Sequence, residues 1–523
     1  MIKFLKNKWP ILTIVAFWLP ITFYNTKIYW MLVDDGGDVV FARTLFEKFS
    51  HLYIGQFISQ LLETGGRFRP IYWFYHTWVW LIGGNSFQFQ HFAHMIVIGI
   101  TVLFIYLIVH EISKSKVLAL FASFFYFFVP LNTENIMRLG PQEPLMAMFF
   151  AIFFYLVIKT KKIFLSSLML ALAVFTKETA LAILPIIFIY YLYEKKNSSN
   201  KDLKISFRLL FTVGTSALIM ILITFLRRSG YSTNYSFDAQ MIMKNIIVYF
   251  RELTIGTSGI FPFVPSLYLL RNVRKIIRKQ QFFETRIDLF EFLFFGAFLC
   301  FLVIQLPWAY ALTRYLMPAI LFLTLFMFLE IYQNILILRK FNFVKKHSKS
   351  FTILSILLVF YTMSLWWLDV VLKESSSASY QNVYQEISKV PQNTVILMNM
   401  AEGESTMELV YEIQVILNEF WDRRDIRSEY LDMDNLPDEK YIIIDSAQFL
   451  RKYPKEELIR VFGKEFYSTE NVSRRLVLTT PLELIKQSLK KVINAILYKK
   501  EFSPEGIYTY YQSYSNWYFF NEK

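Results

Sequence analysis

Two adjacent carboxylates follow the first apolar segment of this sequence. Asp34 and Asp35 precede two glycines, and Asp38 stands where it would N-cap a helix beginning VVFARTLF. Because one cap needs only one Asp, the adjacent pair is left for another role. Paired carboxylates at such a position are suited to general-base catalysis or to binding a divalent cation through hard oxygen ligands. The alternative is an ordinary capping turn whose carboxylates only contact water.

Further charged and polar residues lie beside other apolar segments. They are Arg67 and Arg69 in GGRFRP; Glu134, Arg138, Gln142 and Glu143 in VPLNTENIMRLGPQEP; Lys177 and Glu178 in FTKETA; and Arg314 in ALTRYLMP. A carboxylate can accept a proton from a hydroxyl group, while Arg and Lys can hold a phosphate. Any one of these residues could instead be a snorkelling anchor at a helix end. Lys177 and Glu178 fit that alternative least, because almost no loop surrounds them.

The composition predicts that membrane helices position these residues. Of the 523 residues, 55% are hydrophobic, and the mean hydropathy is +0.37, which excludes a soluble globular protein. The formal charge is +14, but Lys and Arg gather in short loops between apolar segments. We therefore interpret this charge as membrane orientation and expect no nucleic-acid partner. The single cysteine, Cys300, excludes an intrachain disulfide and a cysteine metal site. The sequence lacks the Walker A, GxGxxG and HExxH motifs.

The apolar segments predict about 11 transmembrane helices. The first runs from about residue 9 to 30, and residues 31–88 form a long outer loop with two interfacial stretches, LFEKFSHLYIGQFISQLLE and IYWFYHTWVWL. The others lie near 89–110, 117–131, 144–158, 163–176, 181–193, 207–226, 246–270, 288–307, 315–338 and 351–372. The basic loops place the N-terminus in the cytoplasm. An odd number of spans then places the Asp34–Asp35 loop and the C-terminal region outside.

A smaller domain is predicted to follow the membrane domain. We assign residues 1–372 to the membrane and 373–523 to an extracytoplasmic α/β domain, because the later residues are more charged. TVILMNM, KYIIIDS and RLVLTT predict strands, and STMELVYEIQVILNEF predicts a helix. The amphipathic segment LELIKQSLKKVINAILYKK is expected to rest on the membrane surface or on the domain core.

The polar motifs, taken in order, resemble a known enzyme family. A carboxylate pair in the first outer loop is similar to that of the membrane glycosyltransferases of the GT-C superfamily. RFRPIYWFYH, PLNTENIMRLGPQEPLMAMFF, FTKETALAILP and TRYLMP resemble successive motifs of the protein O-mannosyltransferase relatives, particularly the transmembrane-and-tetratricopeptide type. The similarity covers about residues 1–340. Asn132 stands where that family has a His, and no 34-residue tetratricopeptide period follows the membrane region.

The resemblance implies a role for each predicted site residue. Asp34 would be the general base that activates the acceptor, and Asp35 would position it or hold a divalent cation. Other cationic residues would bind the lipid phosphate: Arg67, Arg69, Arg138, Lys177 and Arg314. The remaining residues would contact the sugar or orient those cations: Glu134, Gln142, Glu143 and Glu178.

These observations predict an integral membrane glycosyltransferase of GT-C-like fold. It would transfer a sugar, a hexose such as mannose, from a polyprenyl-phosphate donor to a protein, glycan or lipid acceptor on the extracytoplasmic side. In a bacterium the location would be the plasma membrane. Two alternatives remain: a transporter or lipid flippase, and, from the same resemblance, a non-catalytic GT-C-like assembly subunit.

Overall fold

Apolar helices make up most of the described chain. The computed structural model describes residues 2–28, 35–51, 68–160, 162–197, 200–227, 237–279, 281, 283–308, 312–338, 357, 360–367, 370, 380–401, 404–446, 451–463, 465–468, 475–478, 508–511 and 517–521. Two compact units are present. One comprises Met1–Lys27 with Phe41–Trp366, and the other comprises Ile28–Val40 with Trp367–Lys523.

The α-helices of the first part of the chain follow one another with short connections. They are Ile2–Asn25, Asp35–Ser50, Pro70–Gly83, Phe87–Ser113, Lys116–Phe128, Thr133–Met137, Glu143–Tyr155, Ile163–Thr176, Leu184–Asn197, Asn200–Arg227, Ala239–Gly256, Ile260–Ile277, Arg286–Val303 and Met317–Leu338. Three 3-10 turns, Pro130–Asn132, Glu178–Ile183 and Thr313–Leu316, and one π-helical turn, Leu156–Thr160, interrupt them.

The chain is an integral membrane protein with several apolar spans. Among the described residues, four helices are long and apolar enough to cross a membrane, or six if each of two bent pairs is one span. The sequence predicted about 11. Helices Ile163–Thr176 and Leu184–Asn197 account for part of the difference, because each has only 14 residues. A helix of that length extends only about 21 Å.

A sharp bend divides another predicted span. Helices Ala239–Gly256 and Ile260–Ile277 meet at 101° within the segment expected to be one helix near 246–270. The first helix ends at Gly256, and Ser258 and Gly259 both adopt left-handed φ values, 55° and 79°, before the second helix begins. The predicted span at 351–372 lies largely outside the described residues.

Aromatic rings fill the core of the membrane unit. Helix Met317–Leu338 is apolar around most of its circumference, and its first half is almost completely buried. Phe322 on this helix contacts Phe150, Phe154 and Phe301 at centroid distances of 5.6, 5.5 and 5.4 Å. A helix that is hydrophobic on all sides belongs inside a bundle, so this one fixes the surrounding helices.

A mixed five-stranded sheet forms the centre of the second unit. The strands are β1 Val395–Asn399, β2 Arg427–Tyr430, β3 Tyr441–Ser446, β4 Tyr467–Ser468, β5 Arg475–Leu478, β6 Tyr508–Tyr511 and β7 Trp517–Asn521. The sheet order is β2-β1-β3-β7-β4, with β1 to β3 parallel and β7 antiparallel to both of its neighbours. β5 and β6 form a separate antiparallel pair. Two helices, Glu404–Phe420 and Lys455–Phe462, complete the described fold of this unit.

The predicted polytopic helical protein with a C-terminal α/β fold is confirmed. The strands expected at TVILMNM, KYIIIDS and RLVLTT are β1, β3 and β5, and the expected helix is Glu404–Phe420. The sequence analysis missed β2 because RSEY is short and polar. It also missed β7, which pairs with β3 across a long stretch of chain. The amphipathic segment near 482–500 lies outside the described residues.

Candidate functional site

Eight of the predicted site residues have described side chains, and they lie where helices of the membrane unit begin or end. Arg69, Glu134, Arg138, Gln142, Glu143, Lys177, Glu178 and Arg314 come from four separate segments. The four cations among them, with Glu134, Glu143 and Glu178, are called the cation cluster below. Arg67 and Asp34 lie outside the described residues, as does the side chain of Asp35.

A proline creates the segment that carries Glu134 and Arg138. Pro130 has no N–H to donate to the carbonyl of Tyr126, so the preceding helix cannot continue. The Nδ2 of Asn132 donates to that carbonyl oxygen at 2.8 Å and satisfies it instead. The chain bends by 53° and continues as the short helix Thr133–Met137. The bend therefore places polar side chains at the end of an apolar span.

A buried ion pair joins the second and third of these segments. Lys177 donates through Nζ to Oε1 of Glu143, and the two side chains are only 5% and 2% exposed. Glu143 occupies the first turn of helix Glu143–Tyr155, where the helix dipole favours a carboxylate. Its Oε2 has no hydrogen-bond partner among the described residues, so this atom is available to accept a bond from a hydroxyl group.

An extended backbone at Lys177 directs the adjacent Glu178 to a different partner. Lys177 has φ −156° and ψ 137°, between helix Ile163–Thr176 and the 3-10 turn Glu178–Ile183. Successive side chains of an extended chain point in opposite directions. Glu178 accepts from Nε of Arg69 at 3.4 Å and from Nη2 at 3.5 Å. Arg69 immediately precedes helix Pro70–Gly83 and is itself buried.

Tyr315 contacts two members of the cation cluster, Lys177 and Arg314. The Nζ of Lys177 lies 4.2 Å from the centre of its ring, and the guanidinium carbon of Arg314 lies 5.4 Å from the same point. Arg314 also approaches Glu134 at 3.9 Å, and Glu134 accepts a 2.8 Å hydrogen bond from Arg138. One aromatic ring and one carboxylate thus hold three cations near each other.

Uncharged hydrogen bonds fix the backbone that carries these cations. Asn135 donates through Nδ2 to the carbonyl of Arg314 at 2.7 Å, and the carbonyl of Asn135 lies 2.7 Å from Nε2 of His94. Tyr72 donates to the carbonyl of Gly140 at 2.8 Å, and Gln142 donates to the same oxygen at 3.0 Å. The 133–142 segment is therefore attached to helices Pro70–Gly83 and Phe87–Ser113 and to the Arg314 turn.

Charge decides which kind of ligand the cluster suits. Its described members are four cations and three carboxylates, so the cations are in excess. Arg138, Arg314, Glu134 and Glu178 keep 12 to 26% of their side-chain surface exposed. Arg guanidinium groups bind phosphate in two-pronged geometry, and Lys contributes a point charge. The arrangement can bind an anion while its carboxylates contact hydroxyl groups.

The structure corrects one expectation for the Asp34–Asp35 loop. The sequence predicted a helix capped by Asp38, but the helix begins at Asp35 and includes Asp38. Gly37, near its first turn, donates from its backbone to Oε1 of Glu412 at 2.9 Å. A carboxylate distant in sequence, that of Glu412, therefore binds the helix start where Asp38 was expected to act as the cap. No group of three or more His, Cys, Asp or Glu side chains within the described part could hold a metal ion.

The chain is structurally similar to two membrane proteins. ArnT from Cupriavidus metallidurans bound to undecaprenyl phosphate has 10% identity and a TM-score of 0.48, over 90% of this chain and 97% of that one. ArnT in the apo state gives 10% and 0.47, over 88% and 96%. The archaeal oligosaccharyltransferase AglB from Archaeoglobus fulgidus, in complex with an inhibitory peptide and a dolichol-phosphate, gives 12% and 0.40, over 85% and 70%. No family model and no curated protein matches the chain. At this level of similarity, the role of a residue in those proteins cannot be transferred to a residue of this chain.

Sequence reasoning missed several residues that organise the cluster. Tyr315 follows Arg314 directly, and its position in a polar motif was the available signal. His94 lies within an apolar span, where an ionisable residue is a functional candidate by default. Asn135 also lies in a polar motif, but its partner could not be predicted, because its bond to the Arg314 carbonyl joins residues 179 positions apart.

Proposed function

We propose that the protein is a membrane glycosyltransferase that uses a polyprenyl-phosphate sugar as donor. One observation carries this proposal: Arg69, Arg138, Lys177 and Arg314, from four segments, form one cluster at the ends of apolar helices. A lipid that carries a phosphate could place its apolar tail among the apolar helices and its phosphate at this cluster. The ordered sequence motifs described above point to the same substrate class.

Each side chain has a distinct role in this proposal. Arg138 and Arg314 contact the donor phosphate and stabilise the charge that develops on it as the sugar leaves. Lys177 adds a fixed positive charge, held in place by Glu143 and Tyr315. The remaining oxygen of Glu143 and the carboxylate of Glu178 contact sugar hydroxyl groups. Arg67, Gln142 and Glu134 complete the binding of phosphate and sugar.

Asp34 acts as the general base in this proposal. It removes the proton from the acceptor hydroxyl while that oxygen attacks the anomeric carbon, and the polyprenyl phosphate departs. Asp35 positions Asp34 or holds a divalent cation. We place the N-terminus in the cytoplasm and residues 373–523, as a separate domain, outside. The sugar is a hexose such as mannose, as in the O-mannosyltransferase relatives, and the acceptor is a protein, a glycan or a lipid.

The deciding experiment replaces Asp34 by Asn. This change keeps the size of the side chain but removes the base, so transfer from a radiolabelled polyprenyl-phosphate mannose should fall about 10²- to 10⁴-fold. Donor binding and the melting temperature in detergent should change little. Full transfer by a folded Asp34→Asn protein would overturn the base assignment, and the same result for Asp35→Asn would leave no role for the pair.

Uptake into sealed vesicles separates the transporter alternative from the enzyme. A transporter with both aspartates replaced could still move a labelled lipid-linked sugar across the membrane, whereas a transferase has no such flux. A non-catalytic assembly subunit would show neither transfer nor flux. Co-purified lipid provides an independent check, because native mass spectrometry should detect a polyprenyl phosphate that is lost when Arg138 and Arg314 are both replaced by Met.

A further inference from the structure

A carboxylate from the C-terminal unit binds the backbone directly after the Asp34–Asp35 pair. The Oε1 of Glu412 accepts a 2.9 Å hydrogen bond from the backbone N–H of Gly37, across 375 positions of sequence. Glu412 is only 3% exposed and Gly37 is partly exposed, so this bond is partly buried. Residues Ile28–Val40 belong to the same compact unit as Trp367–Lys523. The segment containing the aspartates is therefore part of the C-terminal unit.

Gly37 has no Cβ, and the close approach of Glu412 fits that absence. A Cβ built on Gly37 would lie 2.9 Å from Oε2 of Glu412, closer than real Cβ contacts come. The carboxylate thus lies directly against the backbone, and a residue with a Cβ at this position would require the end of the Glu412 side chain to shift. Glycine inside a helix is costly relative to alanine, and the close approach of Glu412 gives a reason for it here.

Glu412 sits on a firmly anchored helix. Helix Glu404–Phe420 connects parallel strands β1 and β2. Gln414 accepts from the backbone N–H of Ser428 at 2.7 Å and donates to the carbonyl of Ile426 at 2.6 Å. Ser428 also donates to the carbonyl of Val410 at 3.0 Å. These bonds attach the helix to the β2 segment at Val410 and Gln414, on both sides of Glu412. The backbone that carries the Glu412 side chain is therefore fixed.

We propose that Glu412 is a positioning residue for the Asp34–Asp35 pair and that the C-terminal domain is thereby required for catalysis. This inference rests on the proposed function. The carboxylate holds the start of helix Asp35–Ser50 through a charge-assisted hydrogen bond, which also satisfies one of the unpaired N–H groups of the first helical turn. Holding that turn limits where the adjacent aspartates lie.

Two variants of the full-length protein in detergent test the contact itself. In Glu412→Ala, amide hydrogen exchange should accelerate in a peptide covering residues 35–45, because the bond to Gly37 is lost. Glu412→Gln retains an acceptor oxygen and should exchange at close to the native rate. The matched control is Glu419→Ala, on the same helix, where the carboxylate lies 4.0 Å from Arg424. Unchanged exchange in folded Glu412→Ala overturns the proposal, whatever the activity.

Steady-state kinetics test the positioning role. Glu412→Ala should lower kcat for sugar transfer about 10- to 100-fold, with the KM for the lipid donor unchanged, because the base is misplaced while the cation cluster is intact. Gly37→Ala should act on the same contact, so the double variant should lose no more activity than Glu412→Ala alone. A fall in melting temperature without a change in kcat would assign Glu412 a purely structural role and overturn the proposal.

The two proposals fail in different ways. If Asp34→Asn is inactive while folded Glu412→Ala retains the native kcat, the glycosyltransferase function stands and the positioning role is wrong. If Asp34→Asn retains full transfer, the base assignment is wrong, and the positioning role falls with it.

Discussion

Two charged clusters in the membrane unit differ in placement and in charge balance. The cation cluster lies at helix breaks. A second group, called the carboxylate cluster, has Arg271, Glu291 and Glu330 inside regular helices, with Lys275 in the last turn of one helix and Asp288 in the first turn of another. Arg271 binds Glu291 and lies 2.9 Å from Glu330, and Lys275 lies 3.1 Å from Asp288. Its three carboxylates exceed its two cations, whereas the cation cluster has the opposite balance.

Exposure separates the carboxylates that pair with arginine in the two clusters, but not the arginines, since Arg271 and Arg138 keep 13 and 12% of their side-chain surface exposed. Glu291 and Glu330 are 0% exposed, while Glu134 and Glu178 retain 22 and 26% of their side-chain surface. A partly buried guanidinium shared by two buried carboxylates ties helices Ile260–Ile277, Arg286–Val303 and Met317–Leu338 together. A partly exposed set with excess cations can receive an anion. We therefore assign a structural role to the carboxylate cluster and a ligand-binding role to the cation cluster. Three predictions test this assignment.

The largest expected effect is on stability, from replacing Arg271 by Met. The change leaves Glu291 and Glu330 buried without their counter-ion, which should cost about 3–5 kcal/mol. The melting temperature in detergent should therefore fall strongly, while transfer per folded molecule is kept. Adding Glu330→Gln should recover part of the loss, because one buried charge is then removed.

Arg251 provides the control for this variant. It pairs with Glu252 at 2.6 Å but is 63% exposed, so Arg251→Met should cost less than about 1 kcal/mol. If Arg271→Met melted like the wild-type protein and lost transfer instead, the carboxylate cluster would be functional and the comparison would be wrong.

An intermediate effect, on activity, is expected when Arg314 is replaced by Met. Glu134 keeps its 2.8 Å bond from Arg138, so the melting temperature should change little. Loss of one charge-assisted contact to the phosphate is worth about 1.5–3 kcal/mol, so kcat/KM for the lipid donor should fall about 10- to 100-fold.

The variant Arg314→Lys tests whether the geometry of the guanidinium group matters as well as its charge. Arg314→Lys keeps the charge but loses the two-pronged geometry, so its kcat/KM should lie between those of the wild type and Arg314→Met. A native kcat/KM in Arg314→Met would remove Arg314 from the phosphate site. A drop in melting temperature as large as that of Arg271→Met would make both clusters structural.

Sequence reasoning recovered the cation cluster better than the carboxylate cluster, for a physical reason. Lys177 and Glu178 stand next to each other where an apolar segment is interrupted, so burial without solvation was evident. Glu291 and Glu330 are single carboxylates within apolar segments, and only folding brings both to Arg271. Likewise, composition predicted the membrane helices and the apolar strands, but the 101° bend depends on the backbone at Gly259. The contact between Gly37 and Glu412 has no local signature.

The smallest effect is expected from a partly exposed pair in the C-terminal unit. Arg423 donates from Nε and Nη2 to the two carboxylate oxygens of Asp425, each at 2.9 Å. These bonds from Arg423 lower the pKa of Asp425 from its ordinary 3.8 to about 2. Because the folded-state pKa is depressed, the stabilisation is complete above about pH 4 and is lost as the pH falls to about 2.

Asp425→Asn isolates this contribution. The melting temperature of the wild-type protein should exceed that of the variant by a small, constant amount above about pH 4, and the difference should vanish near pH 2. Water screens the pair, so the difference should be far smaller than that caused by Arg271→Met. Thermal shift in detergent from about pH 2 to 6 measures both curves. A difference that grows on acidification would contradict the depressed pKa. A loss comparable to that of Arg271→Met would show that burial is not what distinguishes strong pairs from weak ones in this protein.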